Sequence, residues 1–169
     1  TEEVSHTKSD MDKPTLGFIG VGLMGHGMAK NLVAKGHPLV VLGHRNREPV
    51  EHLKSLGATE AKTPRELAAE GAEAVILCVT GSPQVEANLR GPDGVIASNK
   101  RGLIVVDCST SNPVSTLTLG DELKAAGMTL VDAPLSRTPK EAEEGTLDTM
   151  VGCDEATFET IEPVLRCWA

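Results

Sequence analysis

Three glycines, Gly20, Gly22 and Gly25, restrict the fold of this chain more than any other feature of its sequence. Their pattern, G-x-G-x-x-G, directly follows an apolar stretch at residues 15–20 and opens an amphipathic stretch at residues 23–35. Alone, the pattern also fits an ordinary tight turn. Between a strand and a helix, however, the first glycine permits the turn, the second lets the backbone approach a pyrophosphate, and the third allows close helix–strand packing. The residues predicted to form such a dinucleotide-binding loop are Gly20, Gly22, Leu23, Met24 and Gly25.

The rest of the chain alternates short apolar stretches with amphipathic ones. Strands are predicted at residues 15–20, 38–42, 74–79, 103–107, 128–132 and 146–151, and helices at residues 23–35, 49–56, 64–70, 82–89, 113–126 and 155–166. Strands that alternate with helices form βαβ units with right-handed crossovers. The predicted fold is therefore α/β, with a doubly wound, mostly parallel sheet of the Rossmann type and helices on both faces.

Composition excludes several classes of protein. The chain has 169 residues, 40% of them hydrophobic and 24% charged, which suits one sizeable globular domain. A net charge of −8 disfavours nucleic acid and membrane surfaces as partners, and no apolar run reaches the roughly 20 residues of a membrane span.

The four cysteines lack metal-ligand spacing, so we expect reduced thiols in a cytoplasmic protein and no metal. A disordered leader is expected at residues 1–13 and the dinucleotide-binding domain at residues 14–166.

The end of the second predicted strand bears on which dinucleotide is bound. NAD sites usually carry Asp or Glu there, about 20 residues after the glycine loop, to bind the ribose 2′-hydroxyl. Here the strand runs into Gly43-His44-Arg45-Asn46-Arg47, with no acid before Glu48. Because a guanidinium can bind a 2′-phosphate, this loop predicts NADP, with NAD as the alternative. We expect Arg45 to make the main contact, followed by His44, Asn46 and Arg47, although a solvated loop would look the same.

Further stretches, together with the glycine loop, carry a family resemblance. They are residues 17–25, 28–32, 107–113 (DCSTSNP), 131–136 (VDAPLS) and 143–152. In this order and spacing they resemble the β-hydroxyacid dehydrogenases, a family that includes 3-hydroxyisobutyrate dehydrogenase, tartronate semialdehyde reductase and the cofactor domain of 6-phosphogluconate dehydrogenase. The resemblance implies an oxidoreductase that passes a hydride between nicotinamide and a small 3-hydroxy acid or its semialdehyde. It also implies, by family, an association into homo-oligomers.

The resemblance further implies roles for individual residues. Val79, Thr80 and Gln84 would line the path from the adenosine ribose to the nicotinamide, and Thr110 would lie near the nicotinamide ribose. Ser136 would bind the substrate carboxylate, and Ser109 would also bind substrate. Without the resemblance, Ser109 and Thr110 would be taken as helix-capping residues before Asn-Pro.

The chain departs from the family in the substrate loop. The family reads Asp-x-Pro-Val-Ser-Gly-Gly, whereas Arg137 and Thr138 stand here in place of the two glycines. The exchange removes backbone freedom and adds a guanidinium and a hydroxyl. We expect Arg137 and Thr138 to bind substrate, with Arg137 taking over anion binding or recognising a second polar group; a solvent-facing Arg137 is the alternative.

The family's catalytic Lys belongs to a G-x-x-G-x-G-x-x-x-K-x-x-N pattern that follows the dinucleotide-binding domain. This pattern does not occur within the 169 residues. We therefore expect no catalytic residue here, no C-terminal all-helical domain, and cofactor binding without activity. The last helix is expected to expose an apolar face that favours self-association. Alternative functions are a non-enzymatic NADP-binding sensor or scaffold, and an imine or 2-hydroxyacid reductase.

Overall fold

The structure, a computed structural model, describes residues 13–43, 45–70, 72–110, 112–136, 138–149 and 151–169. Almost all of the expected leader, and the predicted site residues His44 and Arg137, lie outside the described residues.

A six-stranded parallel sheet forms the centre of the domain, in the order β3-β2-β1-β4-β5-β6. Its strands are β1 (Leu16–Ile19), β2 (Leu39–Leu42), β3 (Thr59–Ala61), β4 (Ala74–Leu77), β5 (Ile104–Asp107) and β6 (Thr129–Asp132). The chain first builds outward from β1 to β3 and then returns to place β4 on the other side of β1. This reversal is a topological switch point, and sheets of this kind bind ligands beyond the carboxyl ends of the strands at such a point.

Helices cover both faces of the sheet. They are α1 (Leu23–Ala34), α2 (Glu48–Ser55), α3 (Pro64–Ala69), α4 (Ser82–Leu89), α5 (Pro113–Ala125), α6 (Pro139–Glu144) and α7 (Glu155–Leu165). Along β4, Ile76 packs into the core shared with α1, α2, α6 and α7, whereas Val75 and Leu77 pack into the core shared with α3, α4 and α5. The strand β4 is apolar along its whole length because helices bury the side chains on both faces of the sheet. The predicted doubly wound α/β fold is confirmed.

Two local predictions need correction. The strand β3 was not predicted, since its sequence, Thr-Glu-Ala, is short and polar at this edge of the sheet. The strand predicted at residues 146–151 is shorter: β8 (Asp148–Thr149) pairs antiparallel with β7 (Leu135–Ser136) in a separate two-stranded sheet. After β8, Gly152 exchanges backbone hydrogen bonds with Asp132 of β6 in an antiparallel bridge, so this segment lies against the edge of the parallel sheet.

The last helix does not present the apolar face that the sequence suggested. Ile161, Val164 and Leu165 of α7 are buried, and Trp168 just after it is fully buried. The expectation of an exposed apolar face on α7 is therefore wrong: these side chains complete the core on the α1 side of the sheet. The large apolar side chains exposed in the described part of the chain are Leu23, Leu56, Val114 and Leu117.

None of the helices among the described residues combines the length and apolarity required to cross a bilayer.

Candidate dinucleotide-binding cleft

A cleft of about 530 Å³ opens at the switch point, beyond the carboxyl ends of β1, β2 and β4. Its lining consists of the glycine loop, the residues that follow β2 and β4, and the first two turns of α4. The lining residues are Ile19, Gly20, Val21, Gly22, Leu23, Met24, Gly25, Leu42, Gly43, Asn46, Pro49, Cys78, Val79, Thr80, Gln84 and Asn88.

The glycine loop has the geometry that its sequence predicted. Gly20 has φ +99°, and a Cβ there would lie 2.1 Å from the carbonyl oxygen of Cys78. A Cβ on Gly25 would lie 1.9 Å from the carbonyl oxygen of Gly20, so only glycine lets α1 pack this close to the loop. A Cβ on Gly22 would meet nothing within 4 Å, because this residue borders open space in the cleft. The tight turn and the close packing are therefore sterically required, whereas the middle glycine leaves room for a ligand.

The N-terminus of α1 is suited to an anion. The helical hydrogen bonds begin with the amide of His26, which donates to the carbonyl of Gly22 over 2.8 Å, so the amides before it have no acceptor within the helix. Gly22, the N-cap residue, has no side chain to cap them, and the first turn carries no acidic residue. Leu23 is 82% exposed and leaves the helix end open. Free amides and the positive end of the helix dipole fit a pyrophosphate group.

A second wall follows β4 and is held in place from β5. The amide of Val79 donates to the hydroxyl oxygen of Ser109 over 2.9 Å, and the amide of Ser109 donates to Oδ1 of Asp107 over 2.9 Å. Ser109 is 3% exposed and is not among the lining residues, so its hydroxyl positions the wall from behind. Burial, and secondly the charge of Asp107, raise the pKa of Cys78 to about 11, so this lining residue remains a thiol.

The loop after β2 forms the third side of the cleft. Gly43 and Asn46 line it, and Oδ1 of Asn46 accepts a hydrogen bond from the amide of Glu48 over 3.2 Å. Arg47 turns to β3, where its two terminal nitrogens bind the two carboxylate oxygens of Glu60 over 2.7 and 2.8 Å. Arg45 is exposed and makes no ion pair with any residue in the described ranges.

The predicted substrate residues do not line this cleft. Ser136 is exposed on β7, and Thr138 is the N-cap of α6 in a capping box with Glu141. Thr110, predicted to lie near the nicotinamide ribose, is exposed after β5 and does not line the cleft either. The amide of Thr138 donates to Oε2 of Glu141 over 3.1 Å, which explains a polar residue at this position without a ligand.

The helix α6 is fixed firmly against α1. Nδ2 of Asn31 donates to the carbonyl of Ala142 over 2.8 Å, and Glu143 binds both His26 and Lys30. A Cβ on Gly27 would lie 2.7 Å from the backbone of Ala142. The segment after β6 is thus carried by the same helix whose N-terminus borders the cleft.

The structure brings together most of the predicted coenzyme residues and adds some that the sequence missed. The predicted residues that meet in the cleft are Gly20, Gly22, Leu23, Met24, Gly25, Asn46, Val79, Thr80 and Gln84. Gly43 directly follows the strand predicted at residues 38–42, whereas Cys78 lies within the strand predicted at residues 74–79 and directly follows β4 as the structure has it. Position near a strand end was the available signal for both. Asn88 lies two turns into α4, and nothing in its local sequence marks it.

A doubly wound parallel sheet with a glycine cradle at its switch point defines a dinucleotide-binding domain. The family model described as the NAD binding domain of 6-phosphogluconate dehydrogenase matches residues 15–169, and the chain belongs to this family of oxidoreductase domains. The resemblance predicted from the sequence is confirmed.

Individual relatives agree with this assignment. The chain is 39% identical over 152 residues to the 2-hydroxy-3-oxopropionate reductase of Escherichia coli K12, covering 89% of this chain and 51% of that protein. Among solved structures, the 3-hydroxyisobutyrate dehydrogenase of Mycobacterium tuberculosis with L-serine superposes with a TM-score of 0.85 at 29% identity, covering 93% of this chain and 52% of that one. Psf3 in complex with NADP+ and 2-OPP gives a TM-score of 0.85 at 29% identity, covering 92% and 54%. The chain thus spans about half the length of the relatives it matches.

Proposed function

We propose that this chain is the coenzyme-binding part of an NADP-dependent 3-hydroxyacid dehydrogenase or semialdehyde reductase. The observation that carries the proposal is the glycine cradle, whose middle glycine borders open space at the free N-terminus of α1. The names of the relatives support the reaction class. Because the chain covers about half of each relative, the proposal extends that class from this half to the whole protein.

The chain's own residues would hold the coenzyme along the cleft. The backbone of Gly20 to Met24 would bind the pyrophosphate, since these residues line the cleft and the space beside Gly22 is open. Val79, Thr80 and Gln84 would line the path toward the nicotinamide, where Ser109 keeps Val79 in place. Thr110 would lie at the far end of that path.

The preference for NADP rests on the loop after β2. Arg45 carries the guanidinium in this loop that is not committed to an ion pair within the described residues, and it is exposed. It would bind a 2′-phosphate together with Asn46, which already lines the cleft, and with His44. Psf3, at 29% identity, was solved with NADP+, which supports the same coenzyme here.

When bound, the nicotinamide would supply or accept the hydride. Ser136, Arg137 and Thr138 would bind the carboxylate of the small hydroxy acid, at the start of the segment that α1 carries. Proton transfer at the substrate hydroxyl needs a group within hydrogen-bond reach. We assign this step to a residue of the whole protein that lies outside residues 13–169. We place the protein in the cytoplasm, where its four free cysteines would stay reduced.

Two measurements test the proposal. Calorimetric titration of the chain with NADPH and, separately, NADH should show tighter binding of NADPH at equal salt. The whole protein should then oxidise or reduce at least one member of a panel of 3-hydroxyisobutyrate, glycerate, tartronate semialdehyde and a cyclic imine. Tighter binding of NADH would contradict the coenzyme assignment. Coenzyme binding by the whole protein without turnover of any 3-hydroxy acid would favour the sensor, and turnover of the imine alone would favour an imine reductase.

A further inference from the structure

A carboxylate from β3 lies beside Gly43 at the end of β2, a strand end that carries no acid of its own. A Cβ on Gly43, the first residue after β2, would lie 2.0 Å from Oε2 of Glu60 and 2.8 Å from Nη1 of Arg47. Gly43 lines the cleft, and this carboxylate and this guanidinium lie next to it, although Glu60 and Arg47 are not themselves among the lining residues. An acid at the end of β2 is the group that binds the ribose 2′-hydroxyl of NAD. Glu60, which is 17 residues further along the sequence than Gly43, thus brings a carboxylate next to this strand end.

Glu60 holds Arg47 in a fixed arrangement. The two side chains form a bidentate pair with N–O distances of 2.7 and 2.8 Å, and Arg47 also binds Glu51 on α2 over 2.7 Å. Lys54 lies 3.4 Å from Glu60 and completes a group of two cations and two carboxylates. Hydrogen bonds from Arg47 lower the pKa of Glu60 to about 2, so the carboxylate is ionised at neutral pH. A 2′-phosphate that approaches Gly43 would therefore meet a negative charge and an arginine that is already paired.

We propose that Glu60 is a specificity-determining residue of the ribose end of the cleft, where its carboxylate lowers the affinity for a 2′-phosphorylated dinucleotide relative to the 2′-hydroxyl form. This inference rests on the proposed coenzyme site. It deepens that site by assigning opposite effects to two side chains: Arg45 attracts the 2′-phosphate, and Glu60 opposes it by repulsion and by occupying Arg47.

Glu51 offers a matched control for the same arginine. Like Glu60 it is a glutamate that binds Arg47, but it lies on α2, is more exposed, and is not among the atoms that crowd Gly43. Removing the charge of Glu51 loosens Arg47 without emptying the position beside the cleft. If Glu60 only held Arg47 in place, removing either glutamate would change the ratio of NADPH to NADH affinity equally. If Glu60 acts at the ribose, only its removal would change this ratio.

The test is calorimetric titration of the wild-type chain, Glu60→Gln and Glu51→Gln with NADPH and with NADH. Glu60→Gln should raise the affinity for NADPH relative to NADH by about tenfold, the factor expected when one unit charge is removed near a phosphate at a partly exposed site. Glu51→Gln should change this ratio by less than about twofold, as for an exposed ion pair. Adenosine 2′,5′-bisphosphate, which lacks the nicotinamide, should bind Glu60→Gln more tightly than wild type.

An unchanged affinity ratio in Glu60→Gln, with both coenzymes still bound, would overturn this inference and leave the proposed function intact. So would an equal change in Glu51→Gln. Failure of the wild-type chain to bind either coenzyme would instead overturn the proposed function. Circular dichroism of Glu60→Gln checks that the variant is folded, and Glu60→Ser provides a second variant without the charge.

Discussion

The two ends of the cleft are built by different parts of the polypeptide. At the glycine-loop end the site is formed by the backbone. Gly20 has a positive φ, the N-terminus of α1 is uncapped, and the packing around Gly20 and Gly25 leaves no space for a Cβ. At the other end, beside Gly43, ion pairs next to the lining residues join the loop after β2 to α2 and β3; this is the proposed ribose end. The first end depends on steric fit, while the second depends on charge.

This difference determines how each end responds to change. A Cβ that would lie closer than van der Waals distance to the backbone can be accommodated only if a helix or strand moves. An added methyl group at such a glycine therefore affects both folding and binding. Exposed ion pairs can rearrange and are screened by salt, so their substitution alters preference more than stability.

Gly25→Ala should have the largest effect. Its Cβ would lie 1.9 Å from the carbonyl oxygen of Gly20, which is backbone and cannot move aside. We expect a loss of about 3 kcal/mol in the free energy of unfolding, at the upper end for overpacked positions, and loss of coenzyme binding. Urea denaturation and calorimetry measure the two effects. The control is Gly120→Ala in α5, where a Cβ would meet only Leu130 at 3.9 Å; equal destabilisation of both variants would refute the steric argument.

Ser109→Ala tests whether the cleft wall after β4 depends on a hydrogen bond to a side chain. The change removes the acceptor of the Val79 amide at a buried position, which should cost about 1–3 kcal/mol of unfolding free energy and weaken coenzyme binding. Ser115→Ala, which removes a partly buried hydroxyl of α5 that donates to Glu86 of α4, is the control and should cost less, because no backbone amide loses its acceptor. A Ser109→Ala variant with wild-type stability and affinity would show that the wall holds its shape alone.

Arg45→Ala addresses the ribose end. Loss of one charge-assisted contact should weaken NADPH binding by about tenfold or more and leave NADH binding nearly unchanged. The stability should not change, because Arg45 is exposed and unpaired within the described ranges. Parallel titrations with both coenzymes measure this, and an equal loss for NADPH and NADH would remove Arg45 from the 2′-phosphate site.

The smallest effect is the pH dependence of the Arg47–Glu60 pair. The pKa of Glu60 is lowered to about 2, mainly by hydrogen bonds from Arg47, against roughly 4.3 for an unfolded Glu. The pair therefore stabilises the fold above about pH 4 and loses this contribution as pH falls toward 2. Glu60→Gln should cost at most about 1 kcal/mol at pH 7 and less at pH 3 by urea denaturation. A difference from wild type that stays constant between pH 7 and 3 would contradict this.

Local sequence predicted the parts of the molecule that depend on neighbouring residues. The glycine loop, the parallel strands around it and the capped helices each follow from residues within a few positions of one another, as with the side chain of Asn112, which accepts from the amide of Val114 over 2.8 Å. The strand β3 escaped prediction because three residues, one of them Glu60, carry no apolar pattern.

The parts that sequence could not provide depend on partners from distant segments. Arg47 was expected near a 2′-phosphate, but the carboxylate that binds it comes from β3. Ser109 was expected to contact substrate, but its hydroxyl faces the loop after β4. Thr138, also expected to bind substrate, has a partner that the local pattern did not reveal, since it caps α6. In each case the local pattern gave the polar group, and only the fold determined its partner.

The most direct test of the account is calorimetric titration of the wild-type chain and Gly22→Ala with NADPH. A Cβ at Gly22 meets no protein atom within 4 Å, so the variant should unfold at the same urea concentration as wild type. We predict one binding site with a dissociation constant on the order of micromolar in wild type, and binding weaker by about tenfold or more in Gly22→Ala, because the methyl group occupies the space of the pyrophosphate. Equal affinities for the two proteins, or no binding by wild type, would contradict the central claim that the glycine cradle holds the dinucleotide.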